Sequence, residues 1–140
     1  ENSAKDIYRL HIHPSLEKTS KAAASILKKN FNSFDAFWVH LKEFDDAGHD
    51  GRLEDKKRMI ETADKHFFSA IRNLDAVIVV TSDHATPCSR KAHSGDKVPL
   101  IVSGISDGKD KKFSEQDFAE GSLETIKGYE LLKSITEMIE

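Results

Sequence analysis

Residues 76–81, Ala76-Val77-Ile78-Val79-Val80-Thr81, decide the fold class. The run is β-branched and apolar on both faces. A strand with one face in water alternates; a strand covered by helices on each side does not. Directly after it comes a polar segment, Ser82-Asp83-His84-Ala85-Thr86-Pro87-Cys88-Ser89. Ligand sites in open α/β sheets lie outside the carboxyl ends of strands, so this is where chemistry is sought.

Working outward, the chain alternates between strand and helix patterns. Ile7 to Ile12 reads as a strand. Ser15 to Asn30 reads as a helix whose apolar face is Leu16, Ala23, Ile26 and Leu27. Ala36 to Leu41 reads as a strand. Leu53 to Asn73 reads as one long helix with the stripe Ile60, Ala63, Phe67, Ile71 and Leu74. Val98 to Ser103 is a further strand, with Pro99 near its start, where a missing N–H is tolerated. A polar loop spans Gly104 to Lys112. Ser114 is placed to cap a short helix at Glu115 to Glu120. A last helix runs from about Tyr129 to Ile139, with Leu132, Ile135 and Ile139 expected to face inward. This order predicts an α/β fold, a largely parallel sheet flanked by helices. No Pro/Gly-rich linker divides the chain, so residues 1–140 are read as a single unit.

A second polar segment, Asp45-Asp46-Ala47-Gly48-His49-Asp50-Gly51, follows the strand at 36–41. Asp45 and His49 are four apart, which on a helical turn puts both side chains on one face. Gly48 permits a tight backbone. Asp46 and Asp50 are candidates to support the ligands. A carboxylate with an imidazole suits Zn²⁺, Mn²⁺ or Fe²⁺ better than Ca²⁺ or Mg²⁺. An acid-rich turn with a histidine also serves as a solvated helix start, so this motif alone leaves both readings open.

Asp83 and His84 are adjacent. Neighbouring side chains on a pleated strand diverge, so the pair converges only if the backbone turns there. The bland alternative is a polar strand end with Asp83 capping the turn. His93 follows nine residues after His84. Together Asp45, His49, Asp83, His84 and His93 make the donor mix of a two-metal hydrolytic or phosphoryl-transfer centre. His11 and His13 would share one face of a strand, but no partner sequence supports a site there. His40 reads as a polar strand end, His66 as a packed or surface residue, and Cys88 as a half-buried thiol. Lys109 to Lys112 reads as a solvated loop.

The bulk composition narrows the function classes. The 140 residues carry 38% hydrophobic and 32% charged side chains and a net charge of −3. That balance fits a soluble globular chain and gives no basic footprint for nucleic acid. No apolar stretch approaches the roughly 20 residues that span a bilayer. The first residues lack a signal-peptide pattern, and the single cysteine allows no internal disulfide. A cytoplasmic location is the expectation.

The segment Val39-His40-Leu41-Lys42-Glu43-Phe44-Asp45-Asp46-Ala47-Gly48-His49-Asp50-Gly51 resembles the archaeal-type cofactor-independent (2,3-bisphosphoglycerate-independent) phosphoglycerate mutases. So do Ser82-Asp83-His84-Ala85-Thr86-Pro87-Cys88-Ser89, His93-Ser94 and Val98-Pro99. Phe113-Ser114-Glu115 and Gly121-Ser122-Leu123-Glu124-Thr125-Ile126-Lys127-Gly128 are similar to that family's C-terminal end. The resemblance runs from about Ser15 onward and implies part of an alkaline-phosphatase-like core. It implies two divalent ions, Mn²⁺ or Zn²⁺ with Mg²⁺ or Co²⁺ as further candidates. Asp45, His49 and His93 match the ligands of one ion, Asp83 and His84 those of the other. Ser82 stands where the family usually has glycine.

The family's N-terminal aspartate, its serine nucleophile and its substrate-grasping domain have no counterpart here. With a first residue Glu1 rather than methionine, the resemblance implies the C-terminal part of a longer, phosphoglycerate-converting enzyme, inactive alone. A phosphatase or phosphodiesterase of the same superfamily and a non-catalytic stand-alone domain remain the alternatives.

Overall fold

The computed structural model describes residues 7–10, 15–104 and 114–139. The expected strand end at 11–12, the His11/His13 pair and the loop from 105 to 113 lie outside them. The sequence reading takes the chain as a single unit; the structure gathers it into two compact units. One comprises Glu1–Leu74 with Thr86–His93, the other Asp75–Ala85 with Ser94–Glu140.

The first unit opens with a β-α-β turn of chain. Strand β1 (Ile7–Leu10) lies parallel to β2 (Ala36–Val39), with Ile7 opposite Ala36 and Leu10 opposite Val39. Parallel pairing needs a crossover of a dozen residues or more. Helix α1 (Leu16–Asn30) supplies it. Ser15 caps α1 by accepting from the Lys18 N–H, while Glu17 near its start and Lys28 and Lys29 near its end complement the helix dipole. A 3₁₀ turn at Phe31–Ser33 leads into β2.

Two helices follow β2. Helix α2 (Glu43–His49) is closed by Gly51, whose φ of 71° is open to glycine at little cost. The Arg52 N–H donates to Ala47 O and the Gly51 N–H to Gly48 O, a Schellman closure. Helix α3 (Leu53–Ala63) runs into a π-helical turn at Asp64–Phe68 and a last turn, α4 (Ser69–Ile71). The helix expected at 53–73 therefore exists but is not uniform. A π turn advances less per residue than an α turn, so positions before it rotate away from the face after it. Ala63, Phe67 and Ile71 are buried, as the stripe predicts, whereas Ile60 is exposed.

The core of this unit lies between α1 and that helix. Ala23, Ala24 and Leu27 pack toward Ala63, Phe67 and Ile71, and the small buried Ser20 and Thr19 let the helices approach closely.

In the second unit β3 (Ile78–Thr81) pairs antiparallel with β4 (Leu100–Ser103), Val79 opposite Val102 and Val80 opposite Ile101. The parallel arrangement expected around the 76–81 strand thus holds for β1–β2 and not for β3–β4. The connection from β3 to β4 carries no helix, and a return without a crossover runs antiparallel. The strands are half-buried rather than covered on both faces. The Thr81 hydroxyl donates to Pro99 O at 2.8 Å, and an isolated bridge joins Ala85 to Ser94.

Helix α5 (Glu115–Ala119) starts on Ser114, whose hydroxyl accepts from the Asp117 N–H. A 3₁₀ turn at Gly128–Glu130 leads into α6 (Leu131–Ile139). The expectation that Leu132 and Ile139 face inward is corrected: they are 71% and 56% exposed, and Ile135 is half-buried. Periodicity locates an apolar stripe but not what lies against it. No helix among the described residues is long and apolar enough to cross a membrane.

Candidate metal centre

Asp45 and His49 sit on α2, which begins four residues beyond the carboxyl end of β2. Their spacing of four, one helical turn, brings His49 Nε2 to 3.5 Å from Asp45 Oδ1. His93 arrives from the 86–93 segment, and its Nε2 lies 3.6 Å from the same oxygen. The two imidazole rings are 4.8 Å apart, centroid to centroid, at a 52° tilt. Asp45 and His93 fall among the side chains able to offer donor atoms to one cation, a group that does not include His49.

These separations fit a metal better than direct hydrogen bonds. An N–H···O bond spans about 2.7–3.2 Å. Bonds of about 2.1 Å to a tetrahedral ion hold neighbouring donors about 3.4 Å apart. The observed 3.5 and 3.6 Å match that edge. One carboxylate oxygen and two imidazole nitrogens are the donors preferred by Zn²⁺ and Mn²⁺.

The surroundings hold the donors in place. The Thr86 hydroxyl donates to Asp45 Oδ1 at 2.7 Å. His49 Nδ1 lies 3.3 Å from the Lys91 carbonyl. An N–H at Nδ1 facing that carbonyl leaves Nε2 free of a proton on the Asp45 side, the tautomer a metal requires. Lys91 itself has a φ of 52°, unusual for a side chain of its size. The Cys88 thiol approaches Ala47 O at 3.8 Å, half-buried as the sequence suggests.

Two sequence expectations change. Gly48, read as permitting a tight backbone, lies inside α2 without a positive φ. It is needed for space: a Cβ there would lie 2.5 Å from Thr86 O and 2.9 Å from Thr86 Cγ2. Asp50 does not support the ligands, because it pairs with Arg52 Nε at 3.0 Å, while Asp46 is exposed. The Asp55 carboxylate, and after it that of Asp50, holds the Arg52 guanidinium above its ordinary pKa.

Asp83 and His84 belong to the second unit. The chain bends at both residues after β3, as convergence of adjacent side chains demands, and His84 Nε2 comes to 3.5 Å from Asp83 Oδ2. The His84 N–H also donates to Asp83 Oδ1 at 3.1 Å.

Two contributors escaped the reading of the sequence, the Thr86 hydroxyl and the Lys91 carbonyl. The first stood inside the quoted 82–89 segment, but nothing in residue type marked it; its burial shows only in the structure. The second is a backbone group and leaves no mark in side-chain identity.

Comparison with known proteins bears on the same residues. The sequence matches the Metalloenzyme superfamily over residues 5–138. It is 43% identical to a 2,3-bisphosphoglycerate-independent phosphoglycerate mutase of Aeropyrum pernix, covering 80% of this chain and 28% of that protein. It is 34% identical to the enzyme of the same name from Pyrococcus abyssi, covering 86% of this chain and 30% of that one. A solved structure of a Pyrococcus horikoshii protein superposes with a TM-score of 0.78 at 32% identity, covering 85% of this chain and 38% of that chain. The chain thus spans less than a third of the length of the two mutases.

Proposed function

Because the chain belongs to the Metalloenzyme superfamily, we propose that it is the metal-binding portion of a phosphoglycerate mutase. The reaction is the interconversion of 3-phosphoglycerate and 2-phosphoglycerate through a phosphoserine. The observation that carries this reading is the meeting of Asp45, His49 and His93 on one carboxylate oxygen, at separations matching a coordination edge. These three hold one divalent cation; Asp83 and His84 contribute to a second. The similarity to phosphoglycerate mutases supports the substrate class.

When bound, such cations stabilise charge on phosphoryl oxygens and lower the pKa of an attacking hydroxyl. The work of this chain is to hold and orient. Asp45 supplies the carboxylate donor and His49 and His93 supply imidazole nitrogens, with the Lys91 carbonyl placed to hold the Nδ1 proton of His49 away from the cation. No residue of this chain is assigned as the nucleophile, and it binds cations without turning over 3-phosphoglycerate alone.

Isothermal titration with Mn²⁺ and with Zn²⁺ tests the reading. Saturable binding by the 140-residue chain, lost in Asp45→Ala, is the expected result. No heat and no thermal shift with either ion would leave a non-catalytic domain. An assay of a longer protein carrying these residues separates the two enzymatic readings. Release of inorganic phosphate from phosphate esters without isomer exchange would mean a phosphatase.

A further inference from the structure

Thr86 is 6% exposed, in a segment whose neighbours are mostly open to water. Its Oγ1 lies 2.7 Å from Asp45 Oδ1, the oxygen that faces His49 and His93. Its carbonyl accepts from Lys56 Nζ at 2.9 Å, which ties the residue to α3. Gly48 lies against it with no room for a Cβ. A threonine is stiff at χ1, so three fixed contacts leave the hydroxyl one direction.

We infer that Thr86 is a positioning residue that aims the Asp45 carboxylate at the cation. The inference rests on the proposed ligand set and adds a residue to it. A carboxylate oxygen accepts two hydrogen bonds or ligands. The Thr86 hydroxyl fills one direction on Oδ1 and leaves the other toward the imidazoles. Being neutral, it orients the carboxylate without cancelling its charge, as an arginine or lysine in that place would. A donor to an anion, shielded from water, is also among the stronger hydrogen bonds.

The test is isothermal titration of Mn²⁺ into the 140-residue chain and its Thr86→Val and Thr86→Ser variants, with melting temperatures alongside. Loss of a partner that orients a metal ligand weakens metal binding by about 10–100-fold. That loss is expected in Thr86→Val, with near-normal affinity in Thr86→Ser, which keeps the hydroxyl. Unchanged affinity in Thr86→Val overturns the inference while leaving the ligand set intact. Equal weakening in both variants, or a Thr86→Val chain that fails to fold where Thr86→Ser folds, makes the role structural and also overturns it. A parent chain that binds no Mn²⁺ removes the ligand set and the inference together.

Discussion

His49 and His93 approach a single atom, Asp45 Oδ1, from two different segments, at 3.5 and 3.6 Å. One histidine is local, a helical turn from the aspartate. The other lies 48 residues beyond the aspartate and is the half of the arrangement that folding must bring in. His93→Ala should therefore weaken Mn²⁺ binding by at least the tenfold or so that follows the loss of a supporting partner. The melting temperature without metal should barely change, because the His93 side chain is 53% exposed. Titration calorimetry beside thermal denaturation reads both. A large drop in melting temperature without metal would mean the ring is there for packing.

Gly48→Ala has two opposing contributions. Alanine favours a helix interior over glycine by about 1 kcal/mol. Against this, the new methyl would meet Thr86 O, a backbone atom, at 2.5 Å. Overpacking of this kind costs about 1–3 kcal/mol. Destabilisation is expected to win, with weaker Mn²⁺ binding as Thr86 is pushed from Asp45. A variant more stable than the parent in urea denaturation would show that the 86–93 segment yields freely.

These two cases show what was legible in the sequence. Asp45 and His49 could be paired because their relation is a property of one helix turn. The N-cap at Ser114 was readable for the same reason: capping is local chemistry. His93 entered the set by donor type, but only resemblance grouped it with Asp45 and His49, since no local rule links it to α2. The partners of β3 were misjudged because an apolar run marks a strand without showing what covers it, on how many faces, or in which direction its neighbour runs. Ile60 was misplaced by a π turn, which a periodic count cannot anticipate. Leu132 and Ile139 fail similarly, the stripe being present on α6 with its outer members open to water.

Glu17 gives a pH-dependent contribution of known sign. Its carboxyl is held below its ordinary pKa first by the hydrogen bond from Lys21, then by the charges of Lys21 and His66. A carboxyl whose folded pKa is depressed stabilises the fold above its unfolded value, and that contribution fades as pH falls through the folded one. The group is exposed, so the effect is small and screened by salt. Glu17→Gln should leave acid unfolding nearly where it was and slightly flatten the pH dependence of stability below the ordinary carboxylate range. Urea melts at several pH values in low salt check this. An increased loss of stability on acidification would reverse the sign.

Ser20 stands at the centre of the α1 packing, 0% exposed, and among the described residues its hydroxyl has no hydrogen-bond partner. A buried hydroxyl without a partner costs about 1–3 kcal/mol of desolvation. Ser20→Ala removes that cost and one oxygen's volume, and alanine is also the better helix former. The cavity it leaves is far smaller than a deleted leucine's, so little packing is lost in return. The variant should be more stable by about 1 kcal/mol. Urea denaturation with an unchanged slope would show that the gain lies in the folded state. A less stable Ser20→Ala would mean that a water satisfies the hydroxyl, and that the close approach of α1 to the Ala63–Ile71 face is built around it.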